Sequence, residues 1–219
     1  MTLKSCIGNR ALGWDLLPPG SASFDYTDPR NASEIWTYAG YHQSPNRWLK
    51  GSTPVPIGWE AGIQYDGDTQ RAEEVLSKLS MYYPGAKGYE VAGFFWWQGD
   101  RDSRDMALAG RYEHNLVSLI KTLRAQFKAP TAKFVAASLG QTVQGATDGG
   151  GLILDAMEAV DGKSGKYPEF KGNVAAVYSH PYSMGSSSGS HYGGNAETYM
   201  NIGQAMGAAM VELLKEDRK

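Results

Sequence analysis

Residues 93–102 read "GFFWWQGDRD", an aliphatic and aromatic run that breaks off into an amide, a glycine and three charged side chains. A short apolar run closed by a turn signal reads as a buried strand, so the polar cluster falls at that strand's carboxyl end. The same grammar continues outward. Upstream, Ala72, Val75, Leu76, Leu79 and then Tyr82 or Tyr83 follow helical spacing after Asp68, until Pro84-Gly85 stops the pattern. The strand itself is expected over "YEVAGFFWW" (89–97). Downstream, Leu108, Tyr112, Leu116, Leu119, Leu123 and Phe127 stripe a long helix with Ser103 near its start. Next come a strand "AKFVAASL" (132–139), a Gly-rich loop "GQTVQGATDGGG" and a helix around 151–160. The strand "NVAAVYSH" (173–180) follows, and Tyr199, Ile202, Met206, Met210 and Leu213 mark a last helix. Strands alternating with helices predict an α/β fold, a doubly wound parallel sheet with helices on both faces. In such sheets the site lies at the carboxyl ends of the strands, where Gln98, Asp100, Asp102, His180 and the 140s loop all fall.

At the amino end, "MTLKSCIG" reads as a further strand that runs into a Gly8-Asn9 turn. From Asn9 to about Gly67 no period of 2 or 3.6 persists, yet Trp14, Trp36, Trp48 and Trp59 argue against disorder. Each Trp either packs or stacks on a sugar ring. No repeat and no domain boundary stands out, so one domain over residues 1–219 is expected.

The 219 residues are 42% hydrophobic, with 21 Lys+Arg against 23 Asp+Glu and a net charge of −2. No basic run exceeds a pair, which leaves no electrostatic footprint for nucleic acid. The longest apolar runs are strand-sized, far below the roughly 20 residues that span a bilayer. No export signal is evident. Cys6 is the one cysteine, so no intrachain disulfide forms; within a strand it would be a small buried hydrophobe.

Neither HExxH nor a zinc-type Cys/His spacing occurs, and P-loop, GxGxxG and GxSxG segments are absent. No metal or other cofactor is expected. Among the histidines, His191 stands between the last strand and the last helix, where a base would reach the top of the sheet, or where a structural histidine would close a loop. His180 closes a strand before Pro181, and His114 lies off the apolar stripe of its helix. The Gln98 amide either donates to an oxyanion or ties down a loop. Asp100, Arg101 and Asp102 either serve a site or form a salt-bridged turn that caps the next helix.

Together these segments resemble the SGNH hydrolase superfamily, in its branch of sialate O-acetylesterase-like carbohydrate esterases. "LKSCIGNRALGWDLLPP" is similar to that branch's second block, "GFFWWQGDRD" to its third, and "HYGGNAETYMNIGQAM" to its last. The resemblance implies a serine esterase that releases acetate from acetylated carbohydrate, without a cofactor. It makes His191 the general base. Gly8, through its backbone N–H, and Gln98, through its side chain, become oxyanion donors. Asn9, Arg10, Trp97 and Arg101 are then expected around the substrate. Export or a periplasmic location is the family's habit, and its signal lies outside these residues.

Two departures qualify the resemblance. The family's Gly-Gln-Ser-Asn block, which carries the nucleophile on the first strand, does not occur here. Ser5 matches a position that is not the nucleophile. The chain is therefore expected to be truncated at its amino end and to carry a gap or open edge where that first strand would lie. In addition, Ser188 stands where Asp-x-x-His would place the acid partner of the base; either Asp100 substitutes for it or the site works as a dyad. Two other readings remain at this level: a noncatalytic glycan-binding module of the same fold, and thioester chemistry through Cys6, which would need the sulfur exposed beside His191.

Overall fold

A computed structural model of the protein describes residues 1–183 and 192–216. The chain divides into two compact units, Met1–Val91 and Ala92–Lys219.

The first unit holds an antiparallel sheet in the order β1 (Phe24–Thr27), β2 (Ile35–Tyr38), β3 (Arg47–Leu49). Its register sets Phe24 opposite Tyr38, Tyr26 opposite Trp36, and Tyr38 opposite Arg47. Side chains two apart share a face, so these aromatic groups form one layer: Phe24 stacks on Tyr38 at 5.2 Å and Arg47 lies over Trp36 at 5.1 Å. Helix α1 (Ile63–Ser77) and the short α2 (Leu79–Tyr82) follow. Leu17, Ala39 and Ala61 form a buried cluster bordered by Trp14 and Trp48. The stretch expected to lack periodicity thus contains a sheet, whose strands of three or four residues are too short to register as a pattern. The first helix begins at Ile63 rather than after Asp68, because its first turn buries Gln64 and Tyr65 instead of an aliphatic stripe.

The expected strand at "MTLKSCIG" is absent. Residues 1–7 are exposed and without regular structure, and Gly8-Asn9 forms a turn with Asn9 at φ 60. A strand persists only where a neighbour completes its hydrogen-bond ladder; none pairs with this segment among the described residues. Cys6 is accordingly exposed, not the buried hydrophobe that a strand position implied.

The second unit is the predicted α/β fold. It runs β4 (Gly93–Trp96), α3 (Met106–Gln126), β5 (Lys133–Ala137), α4 (Gly149–Val160), β6 (Val174–Val177), α5 (Ala196–Glu216). The strands form a parallel sheet in the order β4-β5-β6. All five residues of β5 are buried, as a central strand covered on both faces must be. On one face, Phe94 meets both Phe134 of β5 and Phe127 at the end of α3. On the other, Val135 and Ala137 pack with Ile202, Met206, Met210 and Leu213 of α5. Helix α3 starts at Met106, three residues after Ser103, and is capped by Asp105 accepting from Ala107 and Leu108. Among the described residues β4 pairs with β5 alone, and Phe95 within it is 53% exposed. No helix among these residues is long and apolar enough to cross a membrane.

Candidate active site

Gln98 follows directly from β4, and its carboxamide is held at both ends. Its Nε2 donates to Asp102 Oδ2 at 2.7 Å, and its Oε1 accepts from the Tyr112 hydroxyl at 3.0 Å. Tyr112 also donates to the Gln98 backbone carbonyl at 2.9 Å and accepts from Trp96 Nε1 at 3.0 Å. An amide's two ends are nearly isosteric, so only its partners decide which is nitrogen. Here the carboxylate can only take the N–H end. Asp102 and Tyr112 are both fully buried. Burial, reinforced by the nearby Asp102 charge, pushes the Tyr112 phenol well above its ordinary value and keeps it neutral.

Gly99 makes this geometry possible. It adopts φ +147, and a Cβ there would come within 3.0 Å of Ile153 Cγ2, so the chain turns at a residue with no side chain and Asp102 can reach back to Gln98. Asp100 points into a different set of bonds: it pairs with Arg104 and accepts from Gln141 Nε2 at 3.4 Å. Arg101 is half-buried and opens the single 3₁₀ turn Asp102–Arg104. Asp100 thus lies in a salt-bridged turn with Arg104, while Asp102 is Gln98's partner.

Trp97 is half-buried, with its indole N–H on the Ser138 carbonyl at 3.1 Å. It stacks on Tyr192 at 5.8 Å. The Tyr192 hydroxyl in turn accepts from the Gly140 N–H at 3.0 Å. Burial raises the Tyr192 phenol above its usual range. Gly140 is required at that contact, since a Cβ would meet the Tyr192 ring at 2.9 Å. His191, the expected base, lies outside the described residues, but Tyr192 beside it in sequence is thus fastened to the loops that follow β4 and β5.

The loops after β4, β5 and β6 enclose a cleft of about 610 Å³, lined among others by Asp100, Arg104, Gln141, Thr142, Asp148 and His180. Gly150 of α4 forms part of its wall. A Cβ on Gly149 would lie 2.1 Å from the Ser103 carbonyl oxygen, and one on Gly151 would lie 1.8 Å from that of Ala146. The triple glycine therefore lets α4 start hard against the β4 loop.

Gly8, Asn9 and Arg10 belong to the first unit. Gly8 and Asn9 sit in the exposed turn. Arg10 Nη1 binds Asp15 Oδ1 at 2.9 Å and its guanidinium lies 4.4 Å from the centre of the Trp59 ring. Sequence reasoning had noticed Asp102 without its role, and had missed Tyr112 as a site residue. The available signal was the spacing of four between Gln98 and Asp102, with a glycine between. Among the described residues no group of three His, Cys, Asp or Glu side chains could hold a metal.

The family profile described as carbohydrate esterase, sialic acid-specific acetylesterase, matches residues 46–212. The chain belongs to this carbohydrate esterase family. The matched span contains Gln98, Asp100, Asp102, His180 and His191, and leaves Gly8, Asn9 and Arg10 outside. No curated protein matches. A crystal structure of a protein from Arabidopsis thaliana is similar at 19% identity and a TM-score of 0.47, over 68% of this chain and 52% of that one. This chain thus spans about half the length of that protein. The chain thus belongs at family level with the carbohydrate esterases, and its second unit has an α/β fold.

Proposed function

We propose that the protein is a carbohydrate O-acetylesterase in which His191 acts as general base and Gln98 holds the oxyanion. A serine hydroxyl adds to the acetyl carbonyl and passes its proton to His191. The carbonyl oxygen becomes an oxyanion facing the Gln98 amide. Collapse breaks the bond to the sugar oxygen, which takes the proton from His191 and leaves as a hydroxyl, and water then releases acetate from the acyl-enzyme by the same steps. Asp100 is the proposed acid partner of His191; Arg104 and Gln141 share its carboxylate, which weakens its pull on the imidazole. Trp97 and Arg101 are the proposed substrate contacts.

The observation that carries this reading is the Gln98 carboxamide, fixed nitrogen-end toward Asp102 at a strand's carboxyl end. A residue that merely closed a loop would have no need of a buried carboxylate to set the sense of its amide. The nucleophile is proposed to be the serine of a Gly-Gln-Ser-Asn segment, which does not occur among these residues. Hydrolysis of p-nitrophenyl acetate by this chain and by a form extended in frame to carry such a segment, each with and without His191→Ala, tests the proposal. Activity in the extended form that vanishes with His191→Ala supports it. Activity in neither form overturns it in favour of a noncatalytic glycan-binding module.

A further inference from the structure

His180 opens the single 3₁₀ turn His180–Tyr182, just past β6. The strand end beneath it is locked: Ser179 is fully buried, and its N–H donates to Ser138 Oγ at 2.9 Å. The imidazole Nδ1 lies 2.7 Å from the Gly140 carbonyl oxygen. A carbonyl can only accept, so Nδ1 carries the proton and, in the neutral ring, Nε2 is left as a bare acceptor. No hydrogen-bond partner for Nε2 occurs among the described residues. The ring lines the 610 Å³ cleft at the carboxyl ends of the strands, a size within the roughly 300–1,000 Å³ of small-molecule sites.

The rest of that lining selects the ligand. Asp100 and Asp148 contribute carboxylates, Gln141 and Thr142 mixed polar groups, and the lining cation Arg104 is held by Asp100. Asp148 is also committed, accepting from Gly151 at 2.9 Å. Acceptors outnumber uncommitted donors, which suits a ligand rich in O–H groups and penalises an anion. We infer that His180 is a specificity residue, its Nε2 accepting a hydrogen bond from a hydroxyl of the sugar that carries the acetyl group. This inference rests on the carbohydrate esterase reading above, yet it concerns sugar binding and not the acyl chemistry.

The two can therefore fail separately. Titration of the full chain with methyl β-D-xylopyranoside and methyl β-D-glucopyranoside, followed by NMR, measures sugar affinity without a reaction. The variant His180→Asn places an amide N–H near the Nδ1 position, keeps the bond to Gly140 and removes the Nε2 acceptor. It is expected to bind at least one of these glycosides about fivefold more weakly, the worth of one neutral hydrogen bond, with an unchanged melting temperature. The variant His180→Gln sets an amide oxygen near the Nε2 position and is expected to retain most of the affinity, which guards against a fold effect of the first substitution. Equal affinity in wild type and His180→Asn, or no binding by wild type, overturns the inference. So does a loss of p-nitrophenyl acetate hydrolysis by His180→Asn in the extended chain, since that ester offers no sugar hydroxyl. Absence of ester hydrolysis in wild type strikes the esterase reading alone and leaves the sugar titration to stand on its own result.

Discussion

Asp102 Oδ2 accepts from Gln98 Nε2 at 2.7 Å from a position with no solvent exposure. The carboxylate so fixes the direction in which the amide presents its N–H groups, while Tyr112 holds the oxygen end. If Gln98 is an oxyanion donor, Asp102 is a positioning residue that acts through it.

The first prediction follows from that pair. Gln98→Ala should cut kcat for p-nitrophenyl acetate by ~100- to 1000-fold, as removal of one oxyanion donor does. Asp102→Asn lets the amide flip and should lower kcat with KM unchanged, but have no further effect in the Gln98→Ala background. Additive losses in the double variant would show that the two act independently. Asp102→Ala should also lower stability by ~1–3 kcal/mol, because it takes the partner from the partly buried Gln98 amide; urea denaturation reads this.

The glycines that open α4 provide a test of packing. Gly149→Ala and Gly151→Ala drive a methyl group into the backbone oxygens of Ser103 and Ala146, and each should cost ~1–3 kcal/mol of overpacking. Gly150→Ala should cost less, because its nearest obstacle, at 2.8 Å, is the hydroxyl of the Thr142 side chain, which can rotate away. Urea midpoints of the three variants would rank them; equal losses would contradict the close approach of α4 to the β4 loop.

Stability should fall at alkaline pH. The folded-state value of Tyr112 is raised well above 10.0, chiefly by burial, so the fold holds the neutral phenol while the unfolded chain releases its proton. The stabilising contribution is complete below pH 10 and is lost as pH rises above it. Tyr192 is raised in the same sense, again by burial. The urea midpoint measured at pH 8 and at pH 10.5 should drop, and Tyr112→Phe should drop less over the same interval.

Cys6 is exposed in the segment before the Gly8-Asn9 turn. Ellman's reagent should therefore titrate the single thiol of the folded protein without denaturant, and leave the melting temperature unchanged. Slow reaction that needs denaturant would mean that the segment is buried after all.

The alternation of strand and helix from Gly93 to Leu213 was legible because each element carries its own period. Leu116 and Leu119 lie on one helix face, Met206 and Met210 on another, and "KFVAA" is apolar throughout, as a strand covered on both sides requires. The carboxyl-end position of Gln98 and His180 followed from the same alternation. The resemblance of "WWQGDRD" and "HYGGN" to family blocks pointed to the carbohydrate esterase family, whose profile matches residues 46–212.

What tertiary structure decided were relations between residues that no local pattern links. The strand character of "TLKSCIG" is a propensity, and a propensity becomes a strand only when a neighbour supplies hydrogen bonds; here the chain stays exposed. The short strands of the first unit draw their stability from one another's side chains, Phe24 on Tyr38 and Arg47 on Trp36, and so leave little trace in sequence. Asp102 looked like one more charge in a turn. It became Gln98's partner because Gly99, at φ +147, bends the backbone far enough for a buried carboxylate to meet the amide, and because Tyr112, fourteen residues on in another element, closes the opposite side. Sequence alone determined which residues lie near the top of the sheet; the fold decided which of them hold one another there, since hydrogen bonds depend on ångströms and angles that only the packed chain sets.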